Sequence, residues 1–125
     1  MVPVLEDEDA GALQSAGASP GSQSLRYLDP TDEEAVASRM AEADIAIGAL
    51  APGYRHEETL ARAALRAGTS YLSSCPDAPG TAVLMDLADE AGRAGVILMG
   101  GLSWTPGLSI LLALAAARRE NRPIL

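Results

Sequence analysis

The residues best suited to chemistry sit where the chain turns. Trp104 is the one tryptophan, within Gly100-Gly101-Leu102-Ser103-Trp104-Thr105-Pro106-Gly107. The paired glycines permit close backbone approach, and a helix opening at Pro106 would offer free amides to an anion beside Gly107. An indole plugging the top of the core is the alternative reading. Ser73 and Ser74 close an apolar run, so their hydroxyls could hold a substrate carboxylate or a ribose, or equally cap the next helix. Ala49, Leu50, Ala51, Pro52 and Gly53 form a stretch of mostly small residues along which a flat ligand could lie. A tight turn needing Pro and Gly explains the same residues.

Other candidates are weaker. His56, the single histidine, falls at a helix start, where the dipole disfavours imidazolium. A surface or capping role is expected there over proton transfer. Cys75 is the single cysteine, which excludes an internal disulfide and reads as a buried, inert thiol. All bases are Arg, which removes a lysine general base, a lysine Schiff base and the phosphate-binding P-loop lysine. Seventeen acids against nine bases give a net charge of −8, which argues against nucleic acid, whose binding rests on neutralising phosphates. Asp86, Asp89 and Glu90 read as a solvated helix face, and no residue set suggests a metal. The longest apolar stretch, residues 108–117, is broken by Ser109 and too short for a bilayer. The expectation is a cytoplasmic protein with no membrane partner.

The elements that must position these residues follow from punctuation. Strands are predicted over residues 2–5, 25–28, 44–48, 70–72 and 96–99, and a loop over 18–24. Helices are predicted over 10–16, from Thr31 to about 42, 56–67, 79–94 and 106–120. Thr31-Asp32-Glu33-Glu34 has the pattern of a capping box, with Thr31 as cap. Gly68 and Gly95 each follow Arg-Ala at a helix end, the signature of a left-handed cap. Alternating strands and helices with short links predict one mostly parallel sheet with helices on both faces. The reading is a single α/β domain over 1–125, with its core in 25–120 and a weakly structured or strand-remnant segment in 1–24. Ligands of such sheets bind beyond the carboxyl ends of the strands. That edge collects Asp29-Pro30, residues 49–53, residues 73–76 and residues 100–107.

Two stretches then resemble a known family. Asp44-Ile-Ala-Ile-Gly-Ala-Leu-Ala-Pro-Gly-Tyr, followed by residues 56–68 and Tyr71-Leu72-Ser73-Ser74, is similar to the saccharopine dehydrogenase-like reductases. So is Ala91-Gly-Arg-Ala-Gly-Val-Ile-Leu-Met-Gly-Gly-Leu-Ser-Trp-Thr-Pro-Gly-Leu-Ser. The resemblance implies a Rossmann fold that binds NAD or NADP along residues 49–53. It brings Ser73, Ser74, Trp104, Pro106 and Gly107 toward the nicotinamide and substrate, and Asp29 toward the adenine edge. Val4-Leu5-Glu6-Asp7 resembles the family's second strand, whose terminal acid, here Asp7, binds the ribose. The family's opening strand, Gly-x-Gly-x-x-Gly turn and helix have no counterpart, since Gly11, Gly17 and Gly21 are too widely spaced. The pyrophosphate thereby loses its backbone cradle. The family's first strand is central in its sheet, and its loss would leave a gap or an exposed edge, through which copies of the chain could pair. The chain reads as truncated at both ends relative to the family. The expectation is a partial NAD(P)-binding domain of an oxidoreductase. Its substrate would be small and amino-acid-like, and the chain alone would be inactive and bind cofactor weakly or not at all. A non-catalytic remnant or assembly module is the alternative, and a small-molecule binding domain built on the Trp104 loop is a third reading.

Overall fold

Short apolar runs bounded by turn residues become strands, and the Ala-rich segments between them become helices. The computed structural model describes residues 3–17 and 24–120. Val2 of the first expected strand, most of the 18–24 loop and residues 121–125 lie outside the described residues. The order is β1 (Val4–Asp7), α1 (Ala10–Gly17), β2 (Ser24–Tyr27), α2 (Glu33–Met40), β3 (Ile45–Gly48), α3 (Glu57–Ala67), β4 (Ser70–Ser73), α4 (Ala78–Asp86), α5 (Ala88–Ala94), β5 (Leu98–Met99) and α6 (Ser109–Glu120). A 3-10 turn, Gly53–Arg55, precedes α3, and a wide turn, Trp104–Leu108, precedes α6.

Every strand pair is parallel, but the strands form two sheets rather than the single sheet expected. β1 pairs with β2, and separately β3 pairs with β4 and β4 with β5. A slot of about 510 Å³ lies between β1 and β3 and is lined by both. Asp29, just past β2, is close enough to His56, just before α3, for their charges to couple.

Helices bracket β1 and β2 on both sides, whereas β3, β4 and β5 are covered on one face. A side chain on Gly17 would meet Leu25 at 2.6 Å, so Leu25 faces α1. The next residue, Arg26, must point to the opposite face. There it reaches Glu42 at 2.7 Å, at the end of α2. α2 packs along α3, where Ala61, Ala63 and Ala64 are completely buried and let the helices and β4 approach closely. Tyr71 on β4 fills the centre of that core together with Val36 and Leu60. The far face of the three-stranded sheet carries Ile45, Ile47 and Met99, all exposed. Exposed apolar residues also run along α6.

Three local readings shift. Asp32, not Thr31, caps α2, and its carboxylate accepts the Ala35 amide at 3.0 Å. Thr31 instead donates to Asp29 through both hydroxyl and amide, an Asx-turn that competes with capping. The helix expected over 79–94 is two helices, broken at Leu87 (φ −89°, ψ 0°). Leu84, Leu87 and Ala91 are all buried across the break. The last helix begins at Ser109 rather than Pro106. Thr105 is extended (φ −133°, ψ 125°), as the residue before a proline prefers. The two Ala-Gly caps stand as read: Gly68 and Gly95 have φ of 68° and 69° and close their helices through backbone N–H donation.

Candidate functional site

Three loops meet at the carboxyl edge of β3, β4 and β5. Ser74 donates to the Gly48 carbonyl through its hydroxyl at 2.9 Å and its amide at 3.0 Å, tying the β4 loop to the end of β3. The Leu102 amide donates to the Ser73 carbonyl at 3.3 Å and ties the β5 loop to the end of β4. Gly53 lies against Cys75, where an added Cβ would stand 2.9 Å from the Cys75 Sγ. Gly80 crowds the same sulfur from the other side, at 2.7 Å. Only glycine lets the 49–53 loop and the α4 start close on the thiol. Cys75 is 6% exposed, and burial pushes its thiol pKa up. An un-ionised thiol is a poor nucleophile, so the sulfur acts as packing.

Beneath these loops lies a polar cluster that local sequence reading does not single out. Glu57, in the first turn of α3, is 2% exposed. It accepts from the Ser73 hydroxyl at 2.9 Å, and that hydroxyl accepts from the Cys75 amide at 3.0 Å. The second Glu57 oxygen, Oε1, and the Tyr71 hydroxyl are buried without a partner at hydrogen-bonding geometry. Burial raises the pKa of Glu57, and burial followed by the Glu57 charge raises that of Tyr71. The signal was present in the spacing. Glu57, Leu60, Ala61 and Ala64 follow i, i+3, i+4, i+7, which places Glu57 on the apolar stripe of α3.

The predicted site residues distribute as follows. Ser73 is turned inward, with its hydroxyl engaged by Glu57 and Cys75. Ser74 is half-buried and bound to Gly48. Ala49, Ala51 and Pro52 are exposed at the loop surface, and Leu50 packs against the core. The Ala51–Pro52 peptide bond is cis. Trp104 is 79% exposed, so the indole is not a core plug. Gly107, within the Trp104–Leu108 turn that also holds Pro106, approaches the Gly101 backbone too closely for a side chain. Asp29 is held below the usual carboxylate range by the Thr31 hydroxyl and amide. Asp7 accepts from the Asp9 amide at 2.9 Å and lines the slot beside β1.

The electrostatics bear on which parts of a dinucleotide would fit. Asp9 accepts the Gly11 and Ala12 amides at the start of α1, with Glu8 beside it. α2 opens with Asp32, Glu33 and Glu34, and α3 with Glu57 and Glu58. At α1 and α2 the carboxylates of Asp9 and Asp32 accept amides that an anion would need, and the acids at all three starts repel a phosphate. The small, exposed Ala49, Ala51 and Pro52 and the exposed Trp104 suit flat, uncharged rings instead. Among the described residues, no cluster of three or more His, Cys, Asp or Glu could hold a metal ion. No helix there is long and apolar enough to cross a membrane.

Parallel strands joined by helical crossovers, with their loops gathered at one edge, define a Rossmann-like α/β fold. Comparison with solved structures agrees. The chain superposes on apo saccharopine dehydrogenase (L-Glu forming) from Saccharomyces cerevisiae with a TM-score of 0.75 and 23% identity. The match covers 93% of this chain and 25% of the yeast chain. No family profile matches the sequence, and no curated protein matches it.

Proposed function

We propose that this chain is part of the NAD(P)-binding domain of a saccharopine dehydrogenase-like oxidoreductase acting on a small, amino-acid-like substrate. The convergence of residues 48–53, 73–77 and 100–107 on one carboxyl edge, with the exposed Trp104 in the last of these loops, carries the reading. The likeness in fold to the yeast enzyme and the motifs in residues 44–74 and 91–109 support it. The acid-capped helix starts give the pyrophosphate no cradle, so binding by this chain alone is weak. Glu57, Ser73 and Tyr71 are buried beneath the loops, and no catalytic residue is assigned. A non-catalytic module with the same fold is the second reading, favoured by those acid-capped helix starts.

The test is a titration with NAD⁺, NADH, NADP⁺ and NADPH, followed by amide chemical shifts. Dissociation constants near the millimolar range, about 4 kcal/mol of binding free energy, are expected, with shifts confined to residues 49–53, Asp29 and Trp104. No shifts at these positions with any of the four would favour the non-catalytic module. Micromolar affinity would mean that another segment takes the phosphates.

A further inference from the structure

Two apolar surfaces of the chain lie bare among the described residues, and each suits the other. On the far face of the three-stranded sheet, Ile47, Leu72 and Met99 stand side by side in one row, because Ile47 pairs with Leu72 and Leu72 with Met99. Ile45 and Ile97, two residues earlier on their strands, point to the same face. Ile45, Ile47, Ile97 and Met99 are exposed and Leu72 is half-buried. An aliphatic sheet face of this kind is buried in folded proteins by a helix or a second sheet. The other bare surface is α6. Its main packing partner among the described elements is the turn that precedes it, and residues 109–116 are all exposed. Ile110, Leu111, Leu114 and Ala117 form one stripe at helical spacing. A helix of 12 residues is marginal in water unless its apolar face is packed.

We infer that α6 packs on the far sheet face of a second copy of this chain, each copy giving its helix and receiving the other's. Three contacts pin the loop that leads into α6. The Leu102 amide donates to the Ser73 carbonyl, the Leu108 amide donates to the Ser103 carbonyl at 3.1 Å, and Gly107 lies against the Gly101 carbonyl too closely for a side chain. Folding the helix back onto its own sheet would break this pinned turn, whereas a second copy brings its sheet to the helix as it stands. The charges are complementary. Arg118 and Arg119 lie exposed in the last turn of α6, and Asp44 is exposed just before β3. A helix laid antiparallel to the strands sets these arginines beside Asp44 of the partner subunit. The area also suffices. Three large aliphatic side chains on α6 and five on the sheet, each removing roughly 50–100 Å² from water, give about 800–1,600 Å² over the two reciprocal contacts. A stable interface buries about 1,200–2,000 Å², with polar and backbone atoms included. Reciprocal exchange about a two-fold axis uses both surfaces of both copies and leaves neither to recruit a third. Pairing needs no nicotinamide cofactor, so it stands apart from the function proposed above.

Sedimentation equilibrium of the full chain is expected to give a dimer at high micromolar concentration. Ile47→Glu on the sheet face and Leu111→Glu on the helix should each give a monomer with unchanged circular dichroism, since these side chains are 72% and 63% exposed in the single copy. On the native chain, isotope-filtered NOEs between a labelled and an unlabelled copy should join the Leu111 and Leu114 methyls to those of Ile47 and Met99. Pairing that survives Ile47→Glu would mean helix against helix and overturn the inference. Pairing that survives Leu111→Glu would mean that the sheets pair by face or by edge, and would overturn it equally. A native chain that stays monomeric would do the same, whether α6 then lies on its own sheet or on phosphatidylcholine vesicles.

Discussion

Replacing Glu57 with Gln should stabilise the protein, and more so as pH rises. Glu57 is 2% exposed, has one oxygen without a partner and sits beside a Tyr71 hydroxyl that also lacks one. Burial raises its pKa above the ordinary 4.5. A group with a raised folded pKa contributes its full stability below the unfolded value and loses it as pH climbs through the folded one. The native chain thus carries a growing penalty from about pH 4.5 upward. Glutamine keeps an acceptor for Ser73, carries no charge to desolvate and brings an N–H₂ that can donate to Tyr71. An unsatisfied buried polar group costs about 1–3 kcal/mol, so a gain of about 1 kcal/mol is expected near neutral and alkaline pH. That corresponds to a melting temperature higher by roughly 3–6 °C. Thermal unfolding of both proteins at about pH 8 and about pH 5 checks it, with the difference shrinking at the lower pH. A variant less stable than the parent at the higher pH, or a difference unaffected by pH, would refute the reasoning.

Gly48→Ala should cost about 1–3 kcal/mol, because the added carbon falls on the Tyr71 ring and hydroxyl. Combining it with Tyr71→Phe, which removes the nearest atom, should recover part of the loss in urea unfolding, and strict additivity would argue against the contact. Trp104→Ala should leave the melting temperature within about 2 °C, since a side chain 79% exposed lacks the burial that makes core aromatics worth about 3–5 kcal/mol. A loss of that larger size in differential scanning calorimetry would mean that the indole is packed.

What could be read in the sequence is what depends on neighbours along the chain. The caps at Gly68 and Gly95 were legible because left-handed closure is a local demand that few residues meet. The loops at residues 49–53 and 100–107 were legible because Gly and Pro cluster where strands end. Capping of α2 was legible as a pattern but not as an atom, because Thr31 and Asp32 are adjacent acceptors and Asp29 engages the first. The break at Leu87 lies between two good helix-forming segments and is set by packing beneath them. Burial of Glu57 could be read from its place on the apolar stripe of α3, whereas exposure of Trp104 depends on which elements lie above it, which local punctuation does not encode. The parting of β1 from β3 is likewise long-range, although the absent glycine turn anticipated a gap there.

The ion pairs at the edge of the slot bear on how the molecule comes apart. α1 packs on β1 and β2, and this group meets α2 through Arg26 with Glu42 at 2.7 Å and Arg39 with Glu6 at 3.9 Å. Such partly exposed pairs contribute little each and weaken as ions screen them. Residues 3–17 and 24–27 should therefore open at lower free energy than the core around Tyr71. Native-state exchange would find their amides released first, and salt would widen the difference.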